Sequence, residues 1–317
     1  MNKLLKLQVI ASHGLGNQLF QFAFAHYLNS YFQSKVVFEN SPILYKDSLG
    51  LDLTYALGDM FKYCPHLKFK KNISISHKSI VGRSIYTYGG GRQIYSFLTK
   101  QKKFDIFKES EDNKYKFQSV PTLIKPTSFK GFWQHYKYAL FNETCLKNEL
   151  MQFFTDKFQS SNWIYQNSLD LLTSPNQKNK TLVVHIRRGD FAKRANDKTF
   201  GLIKEESYVN LIKKLQKEHN ELNVFTFTDD ERKLSDFVNL EAFGNVYGPE
   251  LDPVMILFLM SNANFLISAN SSFSWWGAFL SLQNGGEVFI PNKFYRSVNT
   301  NDAFLYPNFQ IYRNEFI

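Results

Sequence analysis

The chain has 317 residues, 44% of them hydrophobic and 17% aromatic, with 32 Phe. This is ample core material and excludes a disordered or low-complexity chain, and the length suffices for two domains of ordinary size. Lys and Arg outnumber Asp and Glu by 38 − 28 = 10, with a pI near 9.3; that balance suits an anionic partner (nucleic acid, an anionic membrane face or a phosphorylated substrate) or a merely cationic surface, and does not choose among them.

The pattern opens with an apolar strand at 5–11, a glycine-containing turn Ser12-His13-Gly14-Leu15-Gly16-Asn17-Gln18, an apolar helix at 19–32 and a strand at 36–38. This is a Rossmann-type start. It lacks the full dinucleotide fingerprint, because Leu19 stands where the third glycine would be. Residues 40–130 carry no clear period; they include Gly89-Gly90-Gly91 and a mixed charge run at 100–116 that reads as solvated. Gly131-Phe132-Trp133-Gln134-His135-Tyr136-Lys137-Tyr138 joins aromatic rings to polar groups, which suits either a sugar face or a core. Helices are predicted at 142–158 and 161–172, with a polar loop at 174–180. The domain boundary falls near that loop, giving domains at 1–165 and 166–317.

The second half alternates strand and helix. Strands are predicted from 181 through His185 and Arg187, at 224–228, at 265–268 and, last, at 287–290, with helices at 206–219, 253–260 and 272–282. Such alternation builds a parallel, doubly wound sheet. The two cysteines, Cys64 and Cys145, have no metal-ligand spacing, so neither a disulfide framework nor a zinc site is expected, which fits a reducing compartment. No signal peptide is read at the start, and the apolar stretch 254–268 is too short and too polar to span a bilayer.

Chemistry concentrates in two places. Thr181-Leu182-Val183-Val184-His185-Ile186-Arg187-Arg188-Gly189-Asp190 is a buried strand that ends in charge. Ligands in open α/β sheets bind at the carboxyl ends of strands. Alternation puts His185 and Arg187 on one face and Arg188 on the other. A guanidinium fork matches phosphate oxygens, so the stretch reads as a phosphate or diphosphate site, or else as a salt-bridge cluster. Asn270-Ser271-Ser272-Phe273-Ser274-Trp275-Trp276-Gly277 follows a strand and opens a helix, whose free N–H groups both accept a cap and hold phosphate. Ser272 would complete what Arg187 begins, while Trp275 and Trp276 read as core. The acid pair Asp229-Asp230 reads as structural or nucleotide-proximal rather than as a metal site.

These two motifs, with Gly14-Leu15-Gly16-Asn17-Gln18-Leu19 and Gly131-Phe132-Trp133-Gln134, resemble in order and spacing the family 11 α-1,2-fucosyltransferases. The His-x-Arg-Arg-x-Asp element is shared with α-1,6-fucosyltransferases and more loosely with protein O-fucosyltransferases. The resemblance implies an α/β fold of GT-B type: two Rossmann-like, doubly wound parallel-sheet domains facing a cleft, the first on the acceptor side and the second holding GDP-fucose. It implies inverting transfer of fucose from GDP-fucose to a galactose hydroxyl in α-1,2 linkage, on a galactose-terminated oligosaccharide or glycolipid of the O-antigen or lipopolysaccharide kind. By motif, Arg187 resembles the arginine that grips the donor β-phosphate, with His185 beside it. Ser271, Ser272, Phe273 and Arg188 fall on the donor side, and Asp252 resembles the acid that reads the guanine edge. Gly16, Asn17 and Gln18 fall on the acceptor or sugar side. Asp190 is a candidate base, with Glu205 and Glu206 as others; its alternative role is a salt bridge orienting Arg187 or Arg188. With no Asp-x-Asp pair, no metal and no cofactor beyond the donor are expected. No nucleic-acid partner is expected, since Lys is scattered rather than clustered. The basic balance fits a cytoplasmic protein lying peripherally on the inner face of the membrane. Another nucleotide sugar or fucose linkage on the same fold, and a basic nucleic-acid binder, stay open as alternatives.

Overall fold

The computed structural model describes residues 5–40, 43–44, 58–70, 75–76, 104–159, 161–162, 164, 169–172, 179–193, 201–219, 221–232, 234–296 and 301–317. The chain divides into two compact units, Met1–Leu150 and Met151–Ile317. The division falls N-terminal to position 165, inside the helix Glu143–Phe158.

The first unit holds β1 (Leu7–Ala11), α1 (Leu15–Phe32), β2 (Val36–Asn40), β3 (Ile43–Leu44), β4 (Leu67–Lys70), β5 (Ile75–Ser76), β6 (Asp105–Lys108), β7 (Thr127–Lys130) and α2 (Tyr136–Leu140), and contains the start of α3 (Glu143–Phe158). Five strands form a parallel sheet in the order β4-β2-β1-β7-β6, and β3 pairs with β5. The central strand β1 is buried along its whole length, as its unbroken apolar run demands. Helix α1 is apolar nearly all round and buries Phe20, Phe22, Phe24 and Leu28 completely. Phe24 stacks on Trp133 at 4.0 Å, so the aromatic residues of the 131–138 stretch are in part core. Helix α1 starts at Leu15 rather than at 19. Gly14 is extended and ends the turn; Gly16, Asn17 and Gln18 therefore occupy the helix's first turn, not the loop. The charge run at 100–116 contains an edge strand, β6, with its preceding residues 100–103 outside the described part. The triple glycine 89–91 and residues 163 and 165–168 of the helix predicted at 161–172 also lie outside it; the end of that segment, Leu169–Leu172, is a 3₁₀ turn.

The second unit contains β8 (Thr181–Ile186), α4 (Gly189–Lys193), α5 (Glu205–Glu218), β9 (Asn223–Thr228), β10 (Gly244–Tyr247), α6 (Pro253–Ser261), β11 (Phe265–Ile267), α7 (Ser272–Gln283), β12 (Glu287–Pro291), α8 (Asn301–Phe304) and β13 (Gln310–Tyr312). All six strands are parallel, in the order β10-β9-β8-β11-β12-β13. The sheet thus extends one strand beyond β12, the last strand that the sequence pattern predicts, and gains β10 at the other edge. Leu182, Val184 and Ile186 of β8 pack with Ile212 and Leu215 of α5, Phe265 and Ile267 of β11 and Phe289 of β12. From β8 the chain winds outward through β9 and β10, then returns to β11 on the other side of β8 and winds away through β12 and β13. The carboxyl ends of β8 and β11 are therefore a topological switch point, where connections diverge and leave a crevice.

Candidate active site

At that switch point β8 ends with Ile186, and the next two residues part company. Arg187 is half-buried and its Nη1 lies 2.7 Å from Asp229 Oδ2. Its guanidinium also lies 5.5 Å from the Phe191 ring centre. Arg188 is buried and turns the other way: its guanidinium pairs with Asp236, approaches Asp230 at 3.6 Å and sits 4.5 Å above the Phe237 ring. The motif puts Arg188 on the donor side; with its guanidinium enclosed by carboxylates and an aromatic face, it is instead an internal anchor of this loop. The divergence expected from strand alternation is present, although the strand stops one residue short of Arg187.

Asp229 is the hub that the sequence reading underrated. Its Oδ1 accepts from the backbone N–H of Arg188 at 2.7 Å and of Gly189 at 3.0 Å, while its Oδ2 holds Arg187. Strand register explains the placement: Ile186 lies opposite Thr228, so the residues following each strand meet. Gly189 leaves room for it, since a Cβ there would lie 2.2 Å from Asp229 Oδ2. The neighbouring Asp230 is buried and accepts from Arg232 N at 3.1 Å. Both acids of the pair therefore have structural partners.

His185 is buried on β8 with its ring 5.3 Å from that of Phe273, the second residue of α7. Burial, with the Arg187 charge beside it, pushes its pKa down to about 3. Both effects favour the neutral ring. The contact brings the loop after β8 alongside the start of α7. Ser271 caps that helix, its Oγ accepting from Ser274 N at 3.1 Å, and Ser274 Oγ in turn accepts from Ala269 N at 2.7 Å. Asn270 donates to Gly201 O and Phe294 O at 2.9 and 3.0 Å and so fixes the approach to the helix. Ser272 and Phe273 are half-buried in its first turn. Trp275 and Trp276 are fully buried, as the core reading required.

Asp252 is exposed and caps α6, its Oδ1 accepting from Val254 N at 2.7 Å, with Pro253 at the first helical position. Asp190 lies in the short helix α4, with its side chain outside the described part. Glu205 takes three hydrogen bonds from Asn239 and Leu240, which makes it a tether of the 239–240 turn rather than a base. Glu206 is exposed at the start of α5.

In the first unit the parallel pairing of β1 with β7 brings two distant motifs together. Gln134 donates through Nε2 to Asn17 Oδ1. Gln21 donates to Gly131 O at 2.8 Å and accepts from Ser12 N at 2.9 Å. Gln18 is buried and donates to His13 O at 2.8 Å, so it shapes the turn. His13 has φ 67° and lies against Phe132 at 4.7 Å; a left-handed non-glycine residue at a strand end marks a constrained site. Glu109 was absent from the sequence reading altogether. Its Oε2 accepts from Phe132 N at 2.7 Å and Trp133 N at 3.3 Å and holds the 131–134 loop, although burial raises its pKa. The signal was Gly131, where a Cβ would lie 2.5 Å from Glu109 Cβ.

The fold is shared with the crystal structure of the glycosyl transferase family 9 protein from Veillonella parvula DSM 2008. The two agree at a TM-score of 0.51 with 12% sequence identity, over 99% of this chain and 88% of that one. Two parallel-sheet units give the chain an α/β fold of GT-B type. Within that class the chain belongs to glycosyl transferase family 11, whose family model matches residues 93–312. It is 31% identical over 304 residues to an alpha-1,2-colitosyltransferase of Escherichia coli, covering 91% of this chain and 92% of that protein. It is 26% identical over 318 residues to the O-antigen biosynthesis glycosyltransferase WbnK of Escherichia coli, covering 91% and 94%.

Proposed function

We propose that this glycosyltransferase moves fucose from GDP-fucose to the 2-hydroxyl of a terminal galactose with inversion, giving an α-1,2 linkage on a glycan of the O-antigen kind. The observation that carries the reading is the pairing of a half-buried arginine with a helix start at one switch point. Arg187 is held by Asp229, and the His185–Phe273 contact sets the first turn of α7 beside the same loop. As the donor's glycosidic bond breaks, charge grows on the leaving diphosphate. A guanidinium and helix N–H groups stabilise charge where it develops, without a metal. Asp252 supplies a carboxylate for the N1–H and amino group of guanine. Asn17, Gln18 and Gly16 are assigned to the sugar and acceptor, and Asp190 to the acceptor hydroxyl's proton. The basic balance supports a place at the anionic inner face of the cytoplasmic membrane; among the described residues, no helix is long and apolar enough to cross a membrane.

A second reading replaces fucose by colitose, which is fucose without its 3-hydroxyl. The 31% identity to an alpha-1,2-colitosyltransferase favours it. A site that hydrogen-bonds the 3-hydroxyl rejects the deoxy sugar strongly, whereas an apolar site discriminates weakly. GDP-fucose and GDP-colitose are therefore to be compared on galactose-terminated acceptors, with the product linkage read by NMR. Higher kcat/KM with GDP-fucose and a 1→2 linkage support the first reading. Preference for GDP-colitose selects the second, and turnover only with a UDP- or ADP-sugar overturns both.

A further inference from the structure

We propose that the first unit contains a binding site for a zinc-class divalent ion, formed by His26, His66, Cys145 and Glu149. One ligand atom from each lies within 4.8 Å of every other. His66 Nε2 is 3.0 Å from His26 Nδ1, His26 Nε2 is 3.0 Å from Glu149 Oε2, and Cys145 Sγ is 3.2 Å from Glu149 Oε1. Metal–ligand lengths of about 2.0–2.3 Å in a tetrahedron put ligand atoms roughly 3.3–3.8 Å apart; with one nitrogen of His26 and one oxygen of Glu149 as ligands, the four atoms lie within 4.8 Å of one another and would draw together to hold the ion.

Three separate elements supply the donors. His26 comes from α1, His66 from the turn before β4, and Cys145 and Glu149 from α3. The last two are four residues apart and so share one helix face. The site is deep: His26 is 1% and Glu149 7% exposed, while the His66 side chain retains 27% and gives an approach from solvent. His26 Nε2 has no aligned hydrogen bond despite its short approach to the carboxylate. The chain's two cysteines both converge on Glu149, Cys64 donating to Oε2 at 2.9 Å. Both thiols are free. The imidazoles of His26 and His66, the Cys145 thiol and the Glu149 carboxylate form a donor set that suits a soft-to-borderline cation: imidazole and thiolate select zinc over magnesium or calcium. Cys64 then orients the ligating carboxylate from outside the set. The ligand spacing is spread over three elements, so no compact sequence motif betrays it. On binding, the Cys145 thiol gives its proton to solvent and both imidazoles ligate in their neutral forms. The ion would brace α1, β4 and α3 against one another, a structural role independent of which sugar is transferred.

The test uses the full chain, stripped with chelator and titrated with zinc chloride or cobalt chloride. One zinc per chain, a raised Tm, and a cobalt spectrum with a thiolate charge-transfer band and intense tetrahedral d–d bands are expected. Cys145→Ser should abolish the charge-transfer band, and His66→Ala, at a partly exposed position, should weaken binding with the fold intact by circular dichroism. Cys64→Ala should keep the band and weaken zinc by about 10–100-fold. Absence of zinc binding and of any Tm shift overturns the proposal. So does a cobalt spectrum that is unchanged in Cys145→Ser and His66→Ala, or a charge-transfer band that disappears only with Cys64.

Discussion

Gly189→Ala tests whether the loop after β8 is held by Asp229. The added Cβ would lie 2.2 Å from Asp229 Oδ2, 2.7 Å from its Cγ and 3.2 Å from its backbone oxygen. The aspartate side chain is short and tied at both oxygens, so it cannot swing aside without giving something up. Losing one of its two backbone N–H bonds costs about 1.5–3 kcal/mol, and losing both sets a ceiling near 6 kcal/mol. The ion pair with Arg187 is partly exposed on both sides, at 26% and 14%, and adds at most about 1 kcal/mol. Alanine's helix preference over glycine returns no more than about 1 kcal/mol. For a unit of this size, each kcal/mol moves Tm by about 2–4 °C, so a fall of several degrees is expected, with reduced kcat/KM as Arg187 loses its orientation. The informative measurement is the double-mutant cycle with Asp229→Ala. With the carboxylate gone, the penalty of Gly189→Ala should shrink to what the remaining 3.2 Å contact with the Asp229 backbone oxygen imposes. An equal penalty in both backgrounds would refute the reasoning.

Arg187→Lys keeps the charge but not the fork, so kcat should fall by about a hundredfold or more while donor binding falls less; near-normal turnover returns Arg187 to a salt-bridge role. Arg188→Lys should instead lower Tm and leave kcat nearly unchanged, because its partners are Asp230, Asp236 and Phe237; a turnover loss equal to that of Arg187→Lys contradicts the division. Asp252→Asn keeps a good helix cap, so Tm should hold while stabilisation by GDP, expected to exceed that by ADP, shrinks; equal shifts with GDP and ADP remove Asp252 from guanine recognition. For His185, whose folded pKa of about 3 lies below its ordinary 6.5, the unfolded chain binds the extra proton between these values, so its contribution to stability is full above 6.5 and is lost as pH falls toward 3; a His185→Gln variant should show a shallower acid limb, checked by urea unfolding across that range. Turnover of chelator-treated enzyme should not rise on adding magnesium or manganese, and a rise would overturn the metal-free mechanism.

How much of this was legible in the sequence depends on where each signal resides. Strand β8 was legible because a central parallel strand is apolar on both faces, and Thr181–Ile186 is buried at every position. Strands β10 and β13 were not: Gly244–Tyr247 and Gln310–Tyr312 are short, half-exposed edges that exist through pairing with β9 and β12. The start of α1 was misjudged because glycines at 14 and 16 suggest a turn, while only Gly14 lies outside the helix. Arg187 and the Ser271–Ser272 helix start carry their chemistry in residue type and could be named in advance. Asp229, Glu109 and the His26–Glu149 cluster could not, because their partners arrive through strand register or helix packing from distant segments.

The charge around Arg187 bears on how a diphosphate would be held there. Arg188 and Arg232 pair with Asp230 and Asp236, and Arg187 pairs with Asp229, whose other oxygen accepts from the Arg188 backbone N–H. Three cations meet three carboxylates, so the chain's excess of ten positive charges is not located in this set. Among these described residues a diphosphate therefore meets no surplus of positive charge. In the proposed reading it replaces Asp229 as partner on part of the Arg187 fork and takes the remainder of its stabilisation from N–H groups at the start of α7, which bear partial rather than full charge. Recognition then rests on direction more than on field strength. That explains why two adjacent arginines divide so unequally: Arg188 is spent inside the loop to fix its shape, and the fixed loop presents Arg187 at a single angle. A substrate held this way is sensitive to small displacements of the β8 loop and comparatively insensitive to ionic strength, because charges at contact distance in a partly desolvated site are screened little.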